Sequence, residues 1–216
     1  MEKFKIIYVY DALCSWCYGF SPVIESFYEQ YNSQFDFEIL SGGMVLEDKI
    51  LGANQSTVNS SLYKNIETLT GTQFGTAFLN HFENGTVVFN SIKPSVALSV
   101  IKSILPEKAF QFAHDLQKSI YYDGKSPVED DVYRYLAVNF GVDPDEFIAN
   151  MNLPEFIDAA HYDFALGKQL KVEGYPAVLL QSSDSMFYLI AKGYTDFETL
   201  ELRLNNVLAE IESGSK

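Results

Sequence analysis

Cysteine is nearly absent from this chain. There are two in 216 residues, Cys14 and Cys17, three positions apart. So few exclude a fold stapled by disulfides, and a chain of this length buries enough apolar surface to need none. A second C-x-x-C is missing, and the three histidines, His81, His114 and His161, are scattered through the middle of the sequence. A zinc site would therefore lack half its ligands, and each histidine reads as an ordinary surface or core residue. Positive charge is scarce as well: 15 Lys and Arg stand against 29 Asp and Glu, for a net charge of −14. Such a chain repels phosphate backbones and anionic lipid, and no basic stretch interrupts the pattern, so neither nucleic acid nor a membrane is an expected partner. No apolar run approaches transmembrane length. The first one, Phe4–Tyr10, is too short for a secretory h-region and runs directly into Asp11. The expected compartment is the cytoplasm, where the sequons at Asn54, Asn59 and Asn84 are chance matches.

What is present is an ordinary globular composition, 47% hydrophobic and 20% charged, with 17 Phe and 14 Tyr. Most of these rings are expected to fill a core, and a few to line a groove for apolar peptide segments. Residues 4–10 (FKIIYVY) are β-branched and aromatic and read as a buried strand. Residues 15–31 read as a helix, with Trp16, Phe20, Val23, Ile24, Phe27 and Tyr31 at helical spacing and a kink expected at Pro22. Residues 35–41 alternate as a second strand, closed by Gly42-Gly43. The opening is thus strand–helix–strand.

Residues 52–167 change character and are read as an inserted helical domain of five to seven helices. Ser126-Pro127-Val128-Glu129 and Asp143-Pro144-Asp145-Glu146 each combine a cap, a proline at the first position and a glutamate at the third. One strand candidate, Thr86–Phe89, follows the Asn84-Gly85 turn. Strand and hairpin signals then return at Ala177–Gln181 and Phe187–Lys192, and Asp196 caps a last amphipathic helix. Two halves of one domain, 1–51 and 168–216, flank the insertion.

The stretch that carries chemistry is Asp11-Ala12-Leu13-Cys14-Ser15-Trp16-Cys17-Tyr18-Gly19-Phe20, a C-x-x-C placed directly after a strand and at the start of a helix. Unpaired N–H groups and the positive end of the helix dipole stabilise a thiolate there, and C-x-x-C thiols at such positions fall from about 8.5 to roughly 3.5–7.5. Cys14 is expected to be exposed and nucleophilic, with Cys17 one turn in and shielded. The alternatives are two inert core thiols or half a metal site.

These residues, with Pro22 five positions beyond Cys17, Gly42-Gly43-Met44 after the second strand and Tyr175-Pro176 before the hairpin, resemble the DsbA family of the thioredoxin-like superfamily. The likeness is to its cytoplasmic FrnE-like branch, near the hydroxychromene-carboxylate isomerases and kappa-class glutathione transferases. It implies an α/β thioredoxin fold with a large all-helical insertion, and thiol–disulfide exchange through Cys14 and Cys17, tuned by Ser15 and Trp16. Tyr175–Pro176 would be cis, and the Tyr175 backbone would pair with an extended substrate. No bound metal or organic cofactor is implied. Exchange with substrate proteins, glutathione or a thioredoxin-type partner is. Two departures stand out. Trp16 occupies the place where the oxidases of the family typically carry histidine, so their strongly oxidising potential does not carry over. A buried acid behind the second cysteine is not evident either, Asp11 and Glu38 being its candidates. Rival readings are a glutathione-dependent transferase or isomerase of small apolar molecules, whose relatives typically carry serine at the active position, and a binding module without catalysis.

Overall fold

A computed structural model describes residues 3–51 and 60–214. The sequons at Asn54 and Asn59 and the first residues of the expected insertion lie outside the described residues. In chain order the elements are β1 (Lys5–Tyr10), α1 (Ser15–Tyr31), β2 (Asp36–Ser41), β3 (Lys49–Leu51), α2 (Ser60–Thr70), α3 (Thr76–Glu83), β4 (Val87–Phe89), α4 (Ile92–Ile104), α5 (Ala109–Tyr121), α6 (Asp130–Asn139), α7 (Pro144–Met151), α8 (Pro154–Gln169), β5 (Ala177–Ser183), β6 (Met186–Lys192) and α9 (Phe197–Gly214), with one 3-10 turn at Pro106–Lys108.

The main sheet has the order β2-β1-β5-β6. β1 runs parallel to β2, with Tyr8 opposite Ile39, and antiparallel to β5, with Tyr8 opposite Val178. β5 and β6 close the sheet as an antiparallel pair. Central strands must bury both faces, and the alternation of β1 does this. Ile6, Tyr8 and Tyr10 enter the large core shared with α1, α5 and α9, whereas Ile7 and Val9 join Leu40, Ala177 and Leu179 beneath Leu166 of α8 and Leu170, which caps its end. The carboxylate of Asp163 on α8 accepts from the Ser41 N–H at 3.1 Å and from Lys102 of α4 at 3.0 Å, fixing both helices to the end of β2.

α7 and α9 start where the sequence places them. Asp143 accepts from the N–H groups of Asp145 and Glu146 at 2.9 Å, and Asp196 from that of Thr199 at 2.7 Å. Two expectations are corrected. Ser126-Pro127-Val128-Glu129 forms a turn, and α6 begins only at Asp130. The Pro127 carbonyl is turned toward the buried Tyr133 hydroxyl, which donates to it at 2.5 Å. The insertion is also not purely helical, because β4 lies within it and pairs antiparallel with β3. β4 falls on the Thr86–Phe89 candidate, whereas β3, at three residues, is too short to carry a period-2 signal. Pro22 is exposed inside α1 and does not end it.

Candidate active site

β1 ends at Tyr10, and residues 11–14 turn the chain into α1. No Ser, Thr, Asp or Asn caps this helix. Cys14 is the N-cap residue, with φ −90° and ψ 107°, and its sulfur accepts from the Cys17 N–H at 3.2 Å. The cap acceptor and the proposed nucleophile are therefore one atom, held against the positive end of the helix. Both cysteines are free thiols.

The structure corrects the expected exposure of the first sulfur. Cys14 is only 6% exposed, and Cys17 is completely buried. The cover on Cys14 comes from the loop before β5, whose Tyr175 carbonyl lies 3.5 Å from the Cys14 sulfur. The Tyr175–Pro176 peptide bond is cis. The Tyr175 hydroxyl donates to the Gly42 carbonyl at 2.7 Å, and its ring lies so close that a Cβ on Gly42 would sit 2.3 Å from Tyr175 Cζ. Gly42 thus admits the ring. Gly43 takes φ +67°, the left-handed region that glycine enters freely. Burial pushes the Tyr175 phenol up to about 12, with nearby Asp11 the next cause.

Asp11 is buried behind this turn. Its carboxylate accepts from the N–H of Leu13 at 2.9 Å, from the N–H of Met44 at 2.7 Å and from the Ser91 hydroxyl at 3.0 Å. One side chain thereby joins the cysteine turn, the loop after β2 and the start of α4. Burial raises the carboxyl above its ordinary value, and the three donors oppose that shift. An acid raised in the folded state binds its proton more tightly there than in the unfolded chain. The Asp11 contribution to stability therefore grows as pH falls through the folded value, and levels off below the unfolded value near 3.8. Denaturant titrations between pH 7 and pH 4 should show this rise in wild type and a flatter profile in Asp11→Asn. The other acid candidate, Glu38, forms an ion pair with Lys5 at 3.0 Å on the half-exposed sheet face.

Gln117 was not singled out by the sequence. It lies on α5, 1% exposed, and its amide donates to the carbonyls of Asp11, Ala12 and Cys14 at 3.2, 3.4 and 3.3 Å. The available signal was a lone amide on a helix face otherwise made of Phe112, Ala113, Leu116 and Ile120. Gln117→Leu keeps the volume but strips these carbonyls of a donor. A stability loss of about 2 kcal/mol is expected in denaturant melts, with a drop in any activity of the turn that the amide holds.

Ser15 is the first residue of α1, and Trp16 is half-buried against the main core. Burial also pushes the Cys17 thiol well above its ordinary value, with the nearby Cys14 sulfur as the next cause. The histidines stay apart: His81 lies by the Thr86 hydroxyl, His114 by that of Ser21 and His161 edge-on to Phe164. Among the described residues, no group of three His, Cys, Asp or Glu side chains is placed to hold a metal ion, and no helix is long and apolar enough to cross a membrane.

The fold has known relatives. A protein from Nitrosomonas europaea, described as a candidate protein disulfide isomerase, superposes with a TM-score of 0.86 at 24% identity, over 97% of this chain and 99% of its own. The cytosolic disulfide reductase DsbM from Pseudomonas aeruginosa, also solved with GSH, gives 0.75 at 21% identity over 95% and 98%. At these identities the likeness is one of fold. The ClpXP adapter protein SpxH of Shouchella clausii is 21% identical over 177 residues, 81% of this chain but only 57% of that relative's length. The DSBA-like thioredoxin domain matches from residue 5 to residue 205, which takes in the strand, the cysteine turn, the helices between the sheet halves and the closing hairpin, and the chain belongs to that family.

Proposed function

We propose that the chain is a thiol–disulfide oxidoreductase of the cytoplasm that works through Cys14 and Cys17. The observation that carries this reading is the placement of one sulfur. Cys14 Sγ receives the Cys17 N–H at 3.2 Å and lies 3.5 Å from the Tyr175 carbonyl beside Pro176. Cys14 attacks a substrate disulfide and forms a mixed disulfide. Cys17, one helical turn behind, then attacks Cys14 and releases the substrate thiol. An extended substrate segment pairs with the Tyr175 backbone as an added strand, and its side chains meet the exposed Met44 and Leu46 on the loop that Asp11 holds. Ser15 and Trp16, between the two cysteines, set the balance of thiol and disulfide. Substrates are protein disulfides or small-thiol disulfides. Glutathione or a thioredoxin-type protein restores the starting state, in keeping with a structural relative solved with GSH. Reduction of insulin with glutathione as donor, or oxidation of reduced ribonuclease, tests the reading. Turnover in either assay supports it, and silence in both favours a binding role, as in the adapter relative.

A further inference from the structure

The Cys14 thiol donates to the Tyr175 carbonyl at 3.5 Å, and the residue is only 6% exposed. A disulfide reaches a sulfur so covered only if the loop between α8 and β5 moves. The ends of that loop are pinned. The Val172 N–H donates to the Gly167 carbonyl at 3.1 Å, and the Pro176 carbonyl accepts from the Gly193 N–H at 2.8 Å. Between these points the loop has room. Glu173 is exposed, and a Cβ on Gly174 would meet nothing within 4 Å. Glu173 reaches Lys192 at 3.4 Å, but both side chains stand mostly in water, where an ion pair holds little. The firmer attachment is the Tyr175 side chain, half-buried against both cores. Its hydroxyl donates to the Gly42 carbonyl at 2.7 Å, and its ring fills the space that a Cβ on Gly42 would need. Gly42 is itself fixed, because its N–H donates to the Tyr10 carbonyl at the end of β1 at 2.7 Å.

We propose that the Tyr175 phenol is a latch, whose bond to Gly42 keeps the Tyr175 carbonyl over the Cys14 thiol and shuts that sulfur off until the loop lifts. The proposal rests on the oxidoreductase reading above in taking Cys14 as the attacking sulfur. A small electrophile or oxidant meets a closed thiol in the resting protein, because its access depends on the open form of the loop. A substrate segment that pairs with the Tyr175 backbone brings its own N–H to the carbonyl. The contact that the thiol gives up is then replaced, and opening costs less. The latch thus favours partners that dock over reagents that merely collide. Opening breaks one side-chain hydrogen bond and shifts a few residues between two pinned points, with the sheet left in place.

The test is alkylation of the reduced protein by iodoacetamide, with each cysteine followed separately by peptide mass. A covered thiol reacts through local opening, so its rate follows the open population. Tyr175→Phe keeps the ring and removes the donor. Cys14 should then react about fivefold faster, the change in population that one lost hydrogen bond brings, while Cys17 stays unreactive. The rise should persist on the high-pH plateau, where a thiol is fully ionised, which separates uncovering from a change in acidity. The wild-type phenol, at about 12, keeps its proton there. Gly42→Ala should give the same selective rise by another route, since its Cβ displaces the ring. A Cys14 rate within about twofold of wild type in either variant would overturn the proposal. So would a rise shared equally by Cys17, a rise lost on the plateau, or a Tyr175→Phe protein that fails to fold, because the phenol would then be a strut of the fold. A wild-type protein silent with both insulin and ribonuclease would instead defeat the oxidoreductase reading, and the alkylation rates would still judge the latch.

Discussion

Cys14→Ser is expected to lose dithiol turnover altogether, a fall of at least about a thousandfold to the uncatalysed background, because the serine hydroxyl is no nucleophile toward a disulfide. The fold should survive, since serine is itself a strong N-cap residue and can accept from the Cys17 N–H in place of the sulfur. Cys17→Ser is expected to part from it. The first exchange persists, but nothing resolves it, so a Cys14–substrate mixed disulfide accumulates and is read directly as an added mass. The pair of variants separates the chemistries open to this fold. A glutathione-dependent transferase or isomerase needs one reacting position and would keep its turnover in Cys17→Ser. Thiol–disulfide exchange through two sulfurs would not. A holdase would be unmoved by both changes.

Phe27→Ala carries the second large effect, this time on stability. Phe27 is fully buried on the inner face of α1. Its ring lies 4.8 Å from Tyr31, 6.3 Å from Phe37 and 6.0 Å from Phe197, so one side chain packs α1 against β2 and α9. Truncation removes the ring's transfer energy and leaves a cavity where three rigid elements meet, and rigid neighbours collapse poorly into such a space. A loss of about 3–5 kcal/mol is expected, a large part of the stability of an ordinary domain. At this chain length it corresponds to a drop of roughly 10 °C or more in thermal melting. Phe27→Leu should recover most of the loss, which would attribute the effect to burial rather than to ring stacking.

The sequence was most legible where local chemistry decides the structure. A β-branched and aromatic run can be little other than a central strand, and β1 spans Lys5–Tyr10 against an expected 4–10. α1 coincides with its expected range, Ser15–Tyr31, because one apolar stripe runs its whole length. Asp143-Pro144 starts α7 because cap, proline and acid act together. The same grammar failed at Ser126-Pro127, where the need of a buried phenol for an acceptor claimed the Pro127 carbonyl. Within the site, the cysteine spacing could be read directly, and the Tyr175-Pro176 dipeptide through the family resemblance alone. Gln117 could not, because its role arises from distant segments meeting in space, α5 over the cysteine turn. The burial of Cys14 escaped for the same reason, since its cover comes from 161 residues downstream.

The helix-start arrangement has a consequence that composition alone would not give. With the cap acceptor on the Cys14 sulfur, closing a Cys14–Cys17 disulfide would alter the very atom that the Cys17 N–H meets, so helix start and redox state are joined in one side chain.

The most direct measurement is an equilibrium titration of the reduced protein in glutathione buffers of stepped oxidation, quenched with acid and read by mass. One reversible two-electron transition is expected, in which the protein loses two hydrogens and both thiols escape alkylation together. A protein that stays reduced across the whole range, or that gains only a glutathione adduct without closing the Cys14–Cys17 bond, would contradict it.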